Sequence, residues 1–183
     1  MTEPKRLQDM LEEARIPSAE AIAGEITQKH VLHLAHGQNQ VDESAERGVS
    51  ILGPSEIPER LRSIPSRPFW LFVEGSVEAL YSRPAVAVVG TRQAIFVGRE
   101  AASLVSELMA PYPITLVSGL AEGIDEEAHR SSLREGSTNV AFLGTGIEEF
   151  FPASTVGLRN RVVRERGAVV TEYLPKKRGS ETV

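Results

Sequence analysis

The stretch AVAVVGTR, residues 85–92, decides the fold, because it is the first of three copies of one pattern. In each copy a short apolar run ends in a glycine turn, and a helical pattern follows. The other two copies are ITLVSGLAEGID (114–125) and NVAFLGTGIEEF (139–150), and a fourth apolar run occupies residues 168–171. Strands that alternate with helices predict an α/β fold with a doubly wound, mostly parallel sheet.

Three glycine turns at neighbouring strand ends predict a concave site for an anion. Glycine lets a phosphate approach the backbone closely, and the N–H groups at the start of a helix favour negative charge. Arg92 follows Gly90 by two residues and could bind a phosphate with two of its nitrogens. We expect Arg99, Arg130 and Lys176 to extend this basic surface.

The turns lack the common nucleotide-binding motifs. Neither GTRQAIFVG (90–98) nor GTGIEEF (144–150) contains G-x-G-x-x-G, and no turn carries the lysine of a P-loop. We therefore expect no dinucleotide cofactor, and no other cofactor is indicated.

Asp125 and His129 lie four residues apart, on one side of the helix that follows the second turn. They could form a catalytic pair, but no nucleophile or metal site accompanies them. We favour simpler roles, with Asp125 as the N-cap of that helix and His129 packed beneath the loop. The protein is therefore predicted not to be an enzyme.

The composition excludes several classes of protein. The 183 residues include no cysteine, which excludes disulfides and thiolate metal sites, and the formal net charge is −5. His30, His33 and His36 have the spacing of one helix face, but without further ligands we interpret them as surface residues rather than a metal site. No segment has the pattern of a membrane span or a signal peptide, so a cytoplasmic protein without membrane contact is expected.

Changes in pattern divide the chain into three parts. Residues 1–47 are predicted to form a thin amphipathic helical segment that closes at 37–40, residues 48–175 the α/β domain, and residues 176–183 a polar tail. The helix after the first turn has apolar residues at helical spacing, which predicts that this face is buried. Its members are Val97, Ala101, Leu104, Val105 and Leu108.

The amino-acid sequences at these turns resemble those of one protein family. VAVVGTR (86–92), SGLAEGIDEEAH (118–129), FLGTGIEEFFP (142–152) and GAVVTEYLP (167–175) occur in the order and spacing of the DprA/Smf family of DNA-processing proteins. The pattern SGLA-x-GID-x-x-AH is highly specific, and the resemblance covers roughly residues 48–175.

The resemblance implies an extended Rossmann-like fold that binds single-stranded DNA without catalysis. It also implies a homodimer that delivers the strand to a RecA-type recombinase during natural transformation. The phosphate-contacting turns of the family correspond here to Gly90, Thr91 and Arg92, to Ser118, Gly119 and Gly123, and to Gly144, Thr145 and Gly146.

The sequence departs from the family after the fourth strand. Family members continue there with an F-P-x-R-N-R segment, whereas Arg159-Asn160-Arg161 lies before that strand. The missing segment carries part of the family's basic surface. Together with the acidic net charge, this predicts a C-terminally shortened member with weaker DNA binding.

Two other functions stay open at this point. Residues 144–148, GTGIE, faintly match the G-T-x-x-E of phosphoribohydrolases that release a base from nucleoside monophosphates, although the preceding P-G-G is absent. The N-terminal helical segment could instead be the docking surface of a non-catalytic interaction protein. For DNA binding, Phe96 and Phe150 are the aromatic candidates for base stacking.

Overall fold

The computed structural model describes residues 38–82, 84–149 and 151–178. Their helices and strands, in chain order, are α1 Gln38–Glu46, β1 Ser50–Leu52, α2 Glu59–Arg62, β2 Leu71–Gly75, β3 Ala85–Ala87, α3 Phe96–Met109, β4 Thr115–Ser118, α4 Ile124–Arg134, β5 Asn139–Phe142, α5 Val156–Arg164 and β6 Ala168–Thr171. Two short 3-10 helices, Val77–Leu80 and Ala153–Thr155, precede β3 and α5.

The six strands form one sheet in the order β1-β2-β6-β5-β4-β3. Strands β3 to β6 pair in parallel, whereas β1 and β2 are antiparallel additions on the β6 side. The predicted α/β fold with a mostly parallel sheet is therefore confirmed. The parallel strands follow one another across the sheet in a single direction.

Both faces of the sheet are covered, because successive side chains of a strand point to opposite faces. Phe72 of β2 belongs to a core cluster with Leu158 of α5. Its neighbour Val73 belongs to a second cluster with Ile57 and with Leu80 of the first 3-10 helix. The central strands are thus buried on both sides, which explains their near-continuous apolar sequence.

The predicted closing turn at 37–40 is wrong, because Gln38 begins helix α1. This helix is held by tertiary contacts, including a hydrogen bond from Ser44 Oγ to Glu148 Oε1 at 2.7 Å. Such contacts outweigh the weak local preference of a polar segment. The other predicted N-terminal helices, in residues 1–37, lie outside the described residues, and the three-part division of the chain stays a prediction.

Helix α3 exposes the face that its sequence predicts to be buried. Val97, Leu104, Val105 and Leu108 are 69%, 55%, 44% and 64% exposed, and Ala101 between them is exposed too. The prediction that the described domain buries this face is wrong, and an apolar stripe remains at the surface of the described residues.

No helix in the described ranges has the length and apolar character needed to cross a membrane.

Two glycines at the ends of α5 give contrasting tests of the packing. Gly157→Ala is expected to raise the free energy of unfolding by about 0.5 kcal/mol, because alanine favours the helix and a Cβ there meets nothing within 4 Å. Gly167→Ala is expected to lower it by about 2 kcal/mol, because its Cβ would lie 2.3 Å from the carbonyl oxygen of Asn139. Urea unfolding measures both variants, and a Gly167→Ala protein as stable as the wild type would contradict this packing.

Candidate functional site

The three predicted turns lie along one edge of the sheet. β3, β4 and β5 run in the same direction, so the residues that follow them meet at the same side. We call this side the carboxyl edge and define it by the turns 88–92, 118–123 and 143–146. The second and third turns are close, since a Cβ on Gly119 would lie 3.6 Å from the carbonyl oxygen of Phe142.

One carboxylate holds the first two turns together. Asp125 is 7% exposed and accepts hydrogen bonds from the backbone N–H groups of Gly90 (3.2 Å to Oδ1) and Gly119 (3.0 Å to Oδ2). The prediction that Asp125 is the N-cap of α4 is wrong, because Gly123 occupies the cap and Asp125 lies two positions further on. Its side chain satisfies donors of two turns instead of its own helix.

The first turn also lies directly against the start of α4. The backbone N–H of Ile124 donates to the carbonyl oxygen of Thr91 at 3.2 Å. Gly123 has a φ of 85°, and a Cβ there would lie 2.3 Å from that same oxygen. Any side chain at position 123 would therefore separate the first turn from the helix.

The third turn is closed by the chain that leaves β6. The N–H of Gly146 donates to the carbonyl oxygen of Lys177 at 2.7 Å, and a Cβ on Gly146 would lie 2.1 Å from that of Pro175. Thr145 is buried, whereas Gly144 is exposed. Gly144 is the exposed residue of this turn, and Leu143 is half-buried.

Three backbone N–H groups that were predicted to face a phosphate therefore form hydrogen bonds within the chain. Gly90, Gly119 and Gly146 each donate to an acceptor of the protein itself. The first turn of α4 also carries Asp125 and two glutamates, which offset the positive end of the helix dipole. These three amides already have partners within the chain, so a ligand at the carboxyl edge would meet exposed side chains first. Contact between the turns and a ligand stays a prediction.

Ser118 and Thr91, the two hydroxyl-bearing residues predicted for the site, differ in their exposure to solvent. Ser118 is 3% exposed, and its Oγ donates to the carbonyl oxygen of Val88 at 2.6 Å. Thr91 is exposed, and its Oγ1 accepts the N–H of Gln93 at 3.2 Å. Ser118 therefore fixes the spacing of β3 and β4, and Thr91 is the hydroxyl available at the surface.

Arg92 is an exposed cation of the carboxyl edge. In the part of the chain that the structure describes, no hydrogen bond or ion pair holds its guanidinium group. Arg99 and Arg130, in contrast, both form ion pairs with Glu126. Their guanidinium nitrogens lie 4.0 and 2.5 Å from its carboxylate oxygens. Glu126 partly neutralises their charge, and their support of a ligand site stays a prediction.

Two lysines flank the third turn. Lys176 Nζ pairs with Glu43 Oε2 of α1 at 2.6 Å, and Lys177 Nζ lies 3.6 Å from the centroid of the Tyr173 ring. The described start of the predicted polar tail, residues 176–178, thus contacts the domain. It places positive charge beside the third turn.

His129 is fully buried beneath the second turn. Its Nδ1–H donates to Asn139 Oδ1 at 2.8 Å, since the amide nitrogen of Asn139 already donates to Ser132 and Ser137. Among the described residues, Nε2 has no hydrogen-bond partner. Burial lowers the pKa of His129, and this outweighs the opposing effects of Asn139 and the Asp125 charge. The ring is therefore neutral and has no access to a ligand.

Exposed aromatic side chains lie near the turns. Phe96 is 74% exposed and Phe151 64% exposed. Phe150, the other predicted stacking residue, and the histidines of 30–36 lie outside the described residues. Phe151 therefore joins Phe96 as a surface on which a planar base could stack.

Sequence reasoning missed Arg159, which supports the third turn from inside the fold. Arg159 is 5% exposed, pairs with Glu74 of β2 at 2.5 Å, and donates to the carbonyl oxygens of Ile147 and Glu149. Its position directly after buried Leu158, on the inner side of α5, is the signal that could have identified it.

The chain is similar to known proteins over most of its length. A model of the family described as DNA recombination-mediator protein A matches residues 49–182. The chain is 35% identical over 116 residues to Protein Smf of Escherichia coli (strain K12), covering 63% of this chain and 31% of that protein. It is 34% identical over 118 residues to DNA processing protein DprA of Streptococcus pneumoniae (strain ATCC BAA-255 / R6), covering 64% and 41%.

Solved structures show the same fold. DNA processing protein A from Streptococcus pneumoniae aligns with a TM-score of 0.69 at 23% identity, covering 96% of this chain and 64% of that one. DNA processing protein A from Helicobacter pylori, whose structure concerns its single-stranded DNA binding mode, aligns with a TM-score of 0.63 at 20% identity, covering 73% and 59%. The chain spans less than half the length of the curated relatives it matches.

The Asp125 bridge is tested by Asp125→Asn. This variant is expected to lower the free energy of unfolding by about 2 kcal/mol, because an amide oxygen accepts poorly from both N–H groups and its own NH2 opposes one of them. Glu127→Gln, on the same helical turn, removes the same charge without contacting Gly90 or Gly119. Amide hydrogen exchange followed by NMR should accelerate at these two glycines in Asp125→Asn alone, and equal protection in both variants would rule out the bridge.

His129 makes stability depend on pH. Its folded-state pKa lies below the ordinary value of 6.5, so the unfolded chain takes up the proton first as the pH falls. This contribution is fully present above pH 6.5 and is lost as the pH falls toward the folded-state pKa, with a slope of at most about 1.4 kcal/mol per pH unit. Urea unfolding across this range should show the slope, and His129→Gln should flatten it. An NMR titration of the folded ring with an ordinary midpoint would contradict the assignment.

Proposed function

Because this chain belongs to the DNA recombination-mediator protein A family, we propose that it binds single-stranded DNA along its carboxyl edge. Its role would be DNA processing in natural transformation or recombination. Relatives carry the names Protein Smf and DNA processing protein DprA, and the Helicobacter pylori relative binds single-stranded DNA. These relatives are longer than the chain, so their activity is extended to it as a proposal.

The observation that supports the proposal most directly is the exposure of the Arg92 side chain. It is exposed and has no hydrogen-bond or ion-pair partner among the described residues. The turn that bears it is held by Asp125 through Gly90 and by α4 through Thr91. A planar guanidinium on a fixed turn can bind two phosphate oxygens at a small cost in conformational entropy.

The surroundings of Arg92 suit a single strand with its bases turned outward. Exposed Phe96 is the first residue of α3, four positions after Arg92, and exposed Phe151 follows the third turn. Every base has a π-face, so stacking on such rings does not depend on sequence. Lys176 and Lys177 offer further positive charge beside the third turn.

The charge balance limits the strength of binding. The net charge is −5, and Arg99, Arg130 and Lys176 are each paired with a glutamate. Few phosphates are therefore neutralised at one time, and each neutralised phosphate adds to both affinity and salt dependence. We expect modest, sequence-independent binding that weakens steeply with salt.

The proposal includes no catalytic step. The hydroxyl of Ser118 donates to a backbone carbonyl, the carboxylate of Asp125 accepts two backbone amides, and His129 is buried. These groups support the fold of the edge rather than a reaction. We further propose a cytoplasmic protein that forms a homodimer and delivers its strand to a RecA-type recombinase.

The phosphoribohydrolase alternative is less favoured. It needs Glu148 as a reactive carboxylate, yet Glu148 accepts a hydrogen bond from Ser44 at 2.7 Å and pairs with Arg47 at 3.3 Å. Both partners belong to α1 or directly follow it. Glu148 therefore anchors the helix to the domain.

Arg92→Ala is expected to weaken binding of a short oligonucleotide about tenfold, because one phosphate clamp is lost. The slope of log K against log salt should become shallower by about 0.7, the value for one phosphate of a single strand. Arg164→Ala is the matched control, since exposed Arg164 ends α5 at the opposite edge of the sheet and should leave both quantities unchanged. Fluorescence anisotropy at several salt concentrations gives both numbers. An Arg92→Ala protein that binds like the wild type would sink the proposal, as would a wild type that fails to bind at low salt.

A further inference from the structure

Helix α1 places negative charge beside the third turn. Its nine residues include one aspartate and two glutamates but neither lysine nor arginine. The chain that leaves β6 brings Lys176 and Lys177 to the same place, since the carbonyl oxygen of Lys177 accepts the N–H of Gly146 at 2.7 Å. An acidic helix and a basic segment therefore meet at one end of the carboxyl edge.

Glu43 of this helix pairs with the ammonium group of Lys176. Its Oε2 lies 2.6 Å from Lys176 Nζ, where a phosphate oxygen would otherwise bind the lysine. The ammonium group holds the pKa of Glu43 below its usual range, so the carboxylate is charged at neutral pH. The side chains of Lys176 and Glu43 are 47% and 45% exposed, so the pair lies at the surface, where a DNA strand has access.

The main chain of Lys176 is fixed separately from its side chain. Its N–H donates to Gln40 Oε1 at 3.2 Å, and the carbonyl oxygen of the preceding Pro175 accepts the N–H of Glu148 at 2.8 Å. The lysine side chain can therefore leave Glu43 by rotating about its own bonds while the backbone and α1 stay in place. The flexible four-carbon stem of a lysine permits such a movement.

Polar contacts hold α1 on the domain. Ser44 is buried and donates to Glu148 Oε1 at 2.7 Å, and Arg47, directly after the helix, pairs with Glu148 Oε2 at 3.3 Å. Among the side chains of α1 that the structure describes, none belongs to either apolar core cluster. Hydrogen bonds and ion pairs thus determine where Glu43 lies relative to the third turn.

We propose that Glu43 is an autoinhibitory residue that competes with the phosphates of single-stranded DNA for Lys176. In the free protein the carboxylate pairs with the ammonium group, and DNA gains this contact only by displacing it. An exposed ion pair is weak, so the competition lowers the affinity for DNA by a small factor and leaves binding possible. This inference rests on the proposed binding of DNA along the carboxyl edge. Removing Glu43 should strengthen binding, which is the opposite of the effect of removing a cation.

The first experiment measures binding of a short oligonucleotide by fluorescence anisotropy at several salt concentrations. Glu43→Gln should bind about threefold more tightly than the wild type at low salt, because Lys176 is released for a phosphate. The slope of log K against log salt should become steeper by about 0.7, the value for one phosphate of a single strand. Glu46→Gln is the matched control, since Glu46 is an exposed residue of the same helix and its replacement removes the same charge. This control should leave the slope unchanged.

The second experiment is a double-mutant cycle that tests whether the gain depends on Lys176. Lys176→Ala alone should change binding little, and the Glu43→Gln/Lys176→Ala protein should lose both the gain in affinity and the steeper slope. A gain that persists without Lys176 would overturn the inference. A Glu43→Gln protein that binds more weakly than the wild type, or no better than Glu46→Gln, would also overturn it, because Glu43 would then only support the fold.

Two results distinguish failure of this inference from failure of the proposed function. If the wild type binds at low salt and Glu43→Gln gains nothing, only the autoinhibitory role is overturned. If neither protein binds at low salt, both proposals are overturned. Circular dichroism of each variant checks that these surface substitutions leave the fold intact.

Discussion

The carboxylate of Asp125 is the contact on which the carboxyl edge depends. It joins backbone amides that lie 35 and 6 residues away in the chain, so helix α4 determines where β3 and β4 end relative to each other. A buried carboxylate is stable only when its oxygens accept hydrogen bonds, and the two amides meet that need. Because Leu133 of the same helix lies in the apolar core, the edge and the core form one unit.

This arrangement changes how the edge can recognise a ligand. In a common phosphate-binding loop the free N–H groups of a glycine turn contact the phosphate. Here the glycines serve a different purpose, since they let backbone segments approach one another: Gly123 admits the first turn, and Gly146 admits the chain after β6. The N–H groups of Gly90, Gly119 and Gly146 donate within that packing. In the proposed function the ligand is contacted by side chains that project from the fixed turns, above all Arg92.

Acidic residues engage several cations of the carboxyl edge, whereas no acidic residue in the described ranges pairs with Arg92. Glu126 holds Arg99 and Arg130, and Glu43 holds Lys176, so acidic residues select which cations remain available. A surface of this kind binds weakly as a monomer. Two linked copies would present two such edges to one strand, and binding at the second edge then becomes intramolecular. The homodimer included in the proposed function would thus compensate for the small number of free cations.

The sequence by itself determined the order of elements and the positions of the three turns. Apolar runs and glycines act over a few residues, so β4, β5 and β6 and the turns after β3, β4 and β5 were located correctly. It also identified the apolar stripe of α3, because helical periodicity is a local property. What covers that stripe was not predictable, since periodicity marks a face and not its partner.

Only the tertiary structure decided which groups the turns would contact. The partners of Asp125 and of Gly146 come from distant parts of the chain, and the sequence does not show which donor meets which acceptor. For the same reason the sequence predicted Asp125 as a helix cap, indicated no role for Arg159, and predicted a closing turn at residues 37–40, where helix α1 begins. Local preferences are worth a fraction of a kcal/mol per residue, and buried hydrogen bonds formed across the fold outweigh them.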